Sequence, residues 1–318
     1  MESKSRIIFM GSGEFAAGIL KKLAVSDFCP TAVFTKEDKP VGRSQTLSPS
    51  PAKIIATENG LKIFEPKSLK TNEAEKLIKS LEPDLIIVAD YGKIIPKNIL
   101  DIPKFGALNV HPSLLPRHRG ATPIQFTILL GDGQTGVTII LMDEKVDHGP
   151  IVAISDFKFK ISDLTHSELL KKLANWGGEL LLETLPKWLA GKIKPVPQNE
   201  TLATYTKILT KEDGKINWQN PAEKIERQIR AFLNWPGTWT EWKFNNKKLR
   251  LKIIKAEILE TNNSKIPGQV SAIEDGEMIV ATGHGSLKIS ELQLEGKNKT
   301  TGREFLHGYP KILDNILL

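Results

Sequence analysis

Between residues 6 and 157, short runs of β-branched and other apolar residues alternate with segments whose apolar residues recur every three or four positions. The runs RIIFMG, TAVFT, KIFE, DLIIVA, ALNVH and GVTIILM read as strands. Residues 15–24, 52–59, 73–81 and 123–130 read as helices, with Gly or Pro punctuating their ends. Alternation of this kind implies a doubly wound, mainly parallel α/β sheet of Rossmann-like type. Such sheets bind ligands beyond the carboxyl ends of their strands, so residues at those ends are the first candidates for function.

The pattern changes class further along. A helix opens at Thr165 with the capping-box pair Thr165 and Glu168 and runs toward Trp188. The stretch AGKIKPVPQNETLATY is rich in prolines, lysines and small polar residues and reads as a linker over 190–206. Beyond it Asn220 and Pro221 introduce the helix KIERQIRAFL, followed by the short alternating strands TWTEWKF, LRLKIIKA, GQVSAI, EMIVAT and SLKISELQL. That succession is the signature of a small, OB-like β-barrel. Two domains, 1–189 and 207–318, are expected on either side of the linker, as suits 318 residues.

Composition excludes several classes of function. Apolar and charged fractions are those of an ordinary globular chain, which argues against disorder or fibre. The 44 basic and 37 acidic side chains give a formal charge of +7, which favours a polyanionic partner. Cys29 is the only cysteine, so an intrachain disulfide and a Cys-built zinc site are ruled out and a reducing compartment fits. The apolar stretch in MESKSRIIFMGSGEF is too short for a secretory signal, and no run approaches the roughly 18 apolar residues of a membrane span. A soluble, cytoplasmic monomer with no membrane partner is expected. Histidines other than His111 lack metal-ligand spacing, and no nucleophile triad or P-loop is evident, so no metal and no covalent enzyme intermediate are expected.

Three strand ends carry candidate chemistry. Gly11-Ser12-Gly13-Glu14-Phe15-Ala16 satisfies the dinucleotide pattern G-x-G-x-x-A, with Glu37 where a ribose-binding acid belongs. Glu14 and Phe15 would crowd a pyrophosphate, so the turn is expected to bind no dinucleotide. In LNVHPSLLPRHRGATPIQ, Asn109 and His111 lie two positions apart, which puts both on one face of a strand. An amide donor beside a titratable base suits acyl transfer, although a turn cap and a surface histidine would look the same. In MDEKVDHGPIV, Asp147 follows another strand and gains meaning only beside the first two; a solvated acidic loop has the same composition.

Taken in order, RIIFMGSGEFA, SPSPAKIIA, NVHPSLLPRHRGATPIQ, GDGQTGVTIILMDEKVDHGPI and RAFLNWPGTW closely resemble the methionyl-tRNA formyltransferase family across nearly the whole chain. The resemblance implies transfer of a formyl group from 10-formyltetrahydrofolate to the amino group of methionyl-initiator tRNA. It implies Asn109, His111 and Asp147 as the catalytic trio. Ser113, Leu114, Leu115 and Pro116 would bind the folate donor, with Val88, Ala89, Tyr91 and Met142 around the pterin. Two positions depart from the family pattern: Gly13 stands where proline is expected, and Asp90 where a small apolar residue is commoner.

Arg43, in the loop KEDKPVGRSQTLSPSP, matches the family's basic residue at the acceptor stem of tRNA. In the second domain KFNNKKLRLKIIK holds six basic residues and no acidic one. Lys247, Lys248 and Arg250 there, with Arg227 and Arg230 on the preceding helix, are the expected phosphate contacts. Trp235, Trp239 and Trp242 could stack on bases, although core packing suits most of them better. The rival readings are a folate-dependent formyltransferase acting on a sugar-nucleotide or glycinamide ribonucleotide amine, a nicotinamide-dependent oxidoreductase, and an RNA-binding protein without catalysis.

Overall fold

The structure is a computed structural model and describes residues 5–41, 46–157, 161–245, 247–260, 266–273 and 275–318. In chain order the first half comprises β1 (Ile7–Gly11), α1 (Glu14–Ala24), β2 (Ala32–Phe34), β3 (Lys39–Val41), β4 (Thr46–Ser48), α2 (Pro51–Glu58), β5 (Lys62–Phe64), α3 (Asn72–Ser80), β6 (Leu85–Ala89), α4 (Lys97–Leu100), β7 (Ala107–His111), β8 (Arg119–Gly120), α5 (Pro123–Leu130), β9 (Thr135–Leu141) and β10 (Ile151–Phe157). There follow α6 (His166–Leu189), β11 (Tyr205–Thr206), α7 (Ala222–Phe232), β12 (Thr238–Phe244), β13 (Lys247–Leu259), β14 (Val270–Ala272), β15 (Met278–Ala281), β16 (Ser286–Leu294), β17 (Lys299–Thr301) and α8 (Gly302–Gly308).

Seven strands form one sheet in the order β10-β9-β7-β6-β1-β2-β5. β1 pairs in parallel with both β2 and β6, and all five of its residues are buried, as a strand covered on both faces requires. Strand order reverses between β1 and β6, which makes the gap beyond Gly11 and Ala89 a switch-point crevice. β7 continues the parallel run beside β6, and β9 joins β7 antiparallel, with His111 opposite Thr138 and Leu108 opposite Leu141. The carboxyl end of β9 therefore lies beside the start of β7.

Local capping explains the helix starts. Ser50 caps α2 by accepting the Lys53 amide hydrogen, with Pro51 at the first helical position, where no amide donor is needed. Thr71 does the same for α3 through Ala74. The Pro-rich segment before α2 is not an open loop throughout, because β3 and β4 pair antiparallel. Arg43 lies outside the described residues.

The chain forms two compact units. The first contains Met1–Pro123, Gln134–Phe159 and Glu168–Lys207; the second contains Ile124–Gly133, Lys160–Ser167 and Ile208–Leu318. The division read from the sequence, 1–189, 190–206 and 207–318, follows the chain, whereas these contacts group α5 with the second unit and residues 190–206 with the first. In that stretch Val196 exchanges backbone hydrogen bonds with Ile151, and β11 pairs in parallel with β8.

The second unit holds the antiparallel sheet β12-β13-β16-β15-β14, with β17 on β16. Residues near the carboxyl terminus complete it. Leu318 exchanges backbone hydrogen bonds with Glu241 of β12, while Asn315 and Asp314 bond to Val270 of β14, so both edges are satisfied and the sheet closes into a barrel. Its core includes Trp242, Phe305 and Ile225. Trp242 packs against Phe244, Phe305 and Tyr309. Trp239 is also buried, with its indole N–H on the Lys211 carbonyl. Only Trp235 of the three tryptophans is half exposed.

Candidate active site

The alternation of β7 puts Asn109 and His111 on one face, and both meet Asp147. Asn109 Nδ2 donates to Asp147 Oδ1 at 3.1 Å, and the Gly120 amide donates to Oδ2 at 2.8 Å. His111 is 4 % exposed. Its Nε2 lies 3.0 Å from the His118 carbonyl oxygen, which can only accept, so Nε2 carries the proton. Nδ1 faces Asp147 Oδ2 at 3.6 Å, too long for a hydrogen bond. Asp147 is thus the hub of the trio, and Nδ1 is the ring atom left to exchange a proton.

Asp147 does not reach this position from a shared carboxyl edge, because β9 runs antiparallel to β7. The loop after β9 folds back over the sheet face instead. Gly149 permits the fold: a Cβ there would lie 1.8 Å from the Leu141 carbonyl oxygen. Asp147 itself adopts φ +50°, His118 +63° and Asp90 +43°, left-handed conformations that are costly for residues with side chains and that cluster at functional sites.

The SLLP segment is tied to the sheet by one hydroxyl. Thr138 Oγ1 donates to the Ser113 carbonyl at 2.7 Å and accepts the Leu115 amide hydrogen at 3.1 Å. Ser113 Oγ donates to the Arg117 carbonyl at 2.7 Å, and Leu115 is buried, while Leu114 and Pro116 are partly open. Val88, Ala89 and Tyr91 are 5 %, 0 % and 2 % exposed. Val88 and Tyr91 belong to a core cluster with Ile8, Met10 and Phe34, and Met142 packs against it. This strand end therefore offers a ligand its backbone and only the rim of its side chains. Burial pushes the Tyr91 phenol above its usual range, and its oxygen has no hydrogen-bond partner among the described residues. At the Gly11 turn the amides of Ser12 and Gly13 face the Asp90 carbonyl at 3.1 and 3.5 Å.

A polar cluster that sequence reasoning missed lies behind the trio. Arg119 is fully buried and donates to Glu200 at 2.9 and 2.6 Å, to Gln198 Oε1 and to Tyr205 Oη. These bonds hold the Glu200 carboxyl below its usual range. His148 Nδ1 lies 2.6 Å from Asp143 Oδ2. Arg119 adjoins a motif and could have been suspected, but Gln198, Glu200 and Tyr205 fall in a Pro-rich stretch with no periodicity to mark them.

The expected phosphate contacts differ in environment. Arg230 Nε meets Glu226 at 2.6 Å and Nη1 donates to the Leu164 carbonyl. Arg227 lies over Gly131, with Nε buried and without a hydrogen-bond partner among the described residues. Both line a groove of about 890 Å³ with Ile128, Glu226 and Ile258. On β13, Lys247 is exposed, Lys248 meets Glu241 at 3.3 Å, and the Arg250 guanidinium lies 3.9 Å over the Trp239 ring. A second cavity of about 610 Å³ is lined by Leu100, Leu141, Met142 and Trp188 and does not include the trio.

A mainly parallel sheet with an amide and an imidazole on one face, met by a loop carboxylate, and an antiparallel barrel after it match two family models. The formyl transferase model matches residues 5–185, and the formyl transferase C-terminal domain model matches residues 208–310. The class is thus that of formyl-group transferases. The methionyl-tRNA formyltransferase of Dehalococcoides mccartyi is 42 % identical over 303 residues, 95 % of each chain. That of Caldanaerobacter subterraneus subsp. tengcongensis is 43 % identical over 305 residues, 96 % of this chain and 97 % of its own. The chain belongs to the methionyl-tRNA formyltransferase family. The fold is shared with WlaRD, a sugar 3N-formyl transferase solved in the presence of dTDP and 5-N-formyl-THF, at a TM-score of 0.63 and 20 % identity, covering 93 % of this chain and 99 % of that one. No helix among the described residues is long and apolar enough to cross a membrane.

Proposed function

We propose that the protein transfers the formyl group of 10-formyltetrahydrofolate to the α-amino group of methionyl-initiator tRNA, in the cytoplasm. The observation that carries this reading is the convergence of Asn109 and His111 on the carboxylate of Asp147, in a chain whose relatives are named for the same reaction. The donor would lie against Ser113, Leu114, Leu115 and Pro116 and the backbone of residues 88–91, near Met142. The acceptor would be held by Arg43 and by basic side chains of the barrel, among them the exposed Lys247.

The α-amine attacks the formyl carbon, a bond from nitrogen to carbon forms, and the carbonyl π pair moves to oxygen. Asn109 Nδ2 has two hydrogens, and one is committed to Asp147, which leaves the other for that oxyanion. α-Amino groups titrate near pH 8 in model compounds, so a base must take the proton that attack releases. His111 Nδ1 is that base, and Asp147 Oδ2 faces the imidazolium so formed. Collapse of the intermediate breaks the bond to N10, which receives the proton.

The test supplies the protein with 10-formyltetrahydrofolate and, in separate reactions, charged initiator tRNA, an amino sugar nucleotide and glycinamide ribonucleotide. Formyl transfer to the tRNA is expected, and Asn109→Ala, His111→Ala and Asp147→Ala should each lower turnover by roughly a hundredfold or more. Transfer only to a small amine would replace the acceptor, and near wild-type turnover of Asn109→Ala or His111→Ala would end the mechanism.

A further inference from the structure

Gln198 belongs to the stretch that reads as a spacer, yet its side chain is committed to the loop carrying Asp147. Both hydrogens of Nε2 are donated, one to the carbonyl of Asp147 and one to the carbonyl of Gly149, each at 2.8 Å. Oε1 accepts from Nε and Nη2 of Arg119 at 3.1 and 2.9 Å. A guanidinium can only donate, so these contacts fix which end of the amide is oxygen and aim Nε2 at the loop. Arg119 is in turn held by Glu200 and Tyr205.

The two carbonyls flank His148, so one amide grips the turn on both sides of it. The grip falls where the backbone most needs one, because Asp147 occupies the left-handed region at φ +50°. An apolar side chain of equal size would fill the space and leave both carbonyls without this donor.

We propose that Gln198 is a positioning residue for formyl transfer: by bridging the carbonyls of Asp147 and Gly149 it keeps the Asp147 carboxylate on Asn109 and Gly120 and beside His111. The inference rests on the assignment of Asp147 to that reaction. Gln198 touches no reacting atom, and its effect passes through the orientation of Asp147.

The experiment measures kcat and both KM values for Gln198→Ala and Gln198→Glu, each in wild-type and Asp147→Asn backgrounds. Gln198→Glu keeps the size and the Arg119 partner while losing the two donors, and carries the test alone should Gln198→Ala fail to fold. The expected result is a fall in kcat of about ten- to a hundredfold with KM values nearly unchanged, the scale of a small misplacement of a reacting group. In the Asp147→Asn background the same changes should alter kcat by less than about twofold, since no carboxylate remains to be positioned. Wild-type kcat in the Gln198 variants, or an equal loss in both backgrounds, overturns the proposal. Wild-type turnover in Asp147→Asn alone would instead remove the reading beneath it.

Discussion

The carboxyl of Asp90 fills the space that a side chain at Gly13 would need. A Cβ on Gly13 would lie 1.8 Å from Asp90 Oδ2 and 2.9 Å from its Cγ. The two residues lie just beyond the ends of β1 and β6, the strands between which sheet order reverses, so the pair lies at the switch point. The two positions lie far apart in the sequence and share one space in the fold. Asp90 is exposed at the surface, yet the protein atoms crowded about its carboxyl displace water and push it up to about 6, with Lys36 opposing the shift.

The pair should therefore be energetically coupled. Gly13 has φ −78°, so alanine fits its backbone, and the cost of Gly13→Ala arises from expelling the Asp90 carboxyl. Urea unfolding should show Gly13→Ala costing more in the wild type than in Asp90→Ala, with an interaction of about 0.5 to 3 kcal/mol, the range for side chains in contact. Additive losses would dissociate the two positions.

Thr138→Val keeps the shape of the side chain and removes the hydroxyl that holds SLLP. The Ser113 carbonyl and the Leu115 amide would lose that partner in a buried setting, at a cost of about 1 to 3 kcal/mol. Because the segment is proposed to seat the donor, the KM for 10-formyltetrahydrofolate should rise more than kcat falls. An unchanged donor KM in a destabilised protein would confine Thr138 to folding.

Burial pushes the His166 imidazole down to about 4. The unfolded chain takes up this proton near pH 6.5, whereas the folded chain resists it, so the contribution is complete above about pH 6.5 and is lost as pH falls toward 4. The loss is at most about 3 kcal/mol, from the separation of the two values. Chemical denaturation at pH 7.5 and pH 5 should show a smaller difference for His166→Gln than for wild type. Equal differences would place the pH dependence elsewhere.

Lys247, Lys248 and Arg250 should contribute unequally to tRNA binding. Lys247→Ala should remove one phosphate contact and flatten the salt dependence by roughly 0.7 to 0.9 log units. Lys248 already meets Glu241, and Arg250→Ala would also uncover Trp239, so its effect should appear in barrel stability as well. Donor affinity should not move. Filter binding across salt concentrations reads all three, and an unchanged slope for the triple alanine variant would leave this stretch a solvated face.

Periodicity made much of this molecule legible. α5, β12 and β16 have the limits read from the sequence, and the two-residue period of ALNVH put Asn109 and His111 on the same face. Direction was less legible, because an apolar run such as GVTIILM reads alike in parallel and antiparallel strands. That is why the route of Asp147, back over the sheet from an antiparallel β9, emerges only in three dimensions. Helical spacing likewise grouped Arg227 with Arg230 but could not tell that Glu226 and the Leu164 carbonyl engage Arg230. Gln198 left no trace, since one amide answering two carbonyls 49 and 51 positions away has no pattern to repeat.

The distance along the chain between the trio and its clasp bears on the order of assembly. Glu200 lies 81 positions beyond Arg119, so a growing chain presents Asn109, His111 and Asp147 well before the residues that grip their loop. Sheet strands that emerge early can pair while the Asp147 turn is still held only by its neighbours. The reactive geometry is then among the last features of the first unit to set. A nascent chain released after α6 would carry every member of the trio and an ungripped turn.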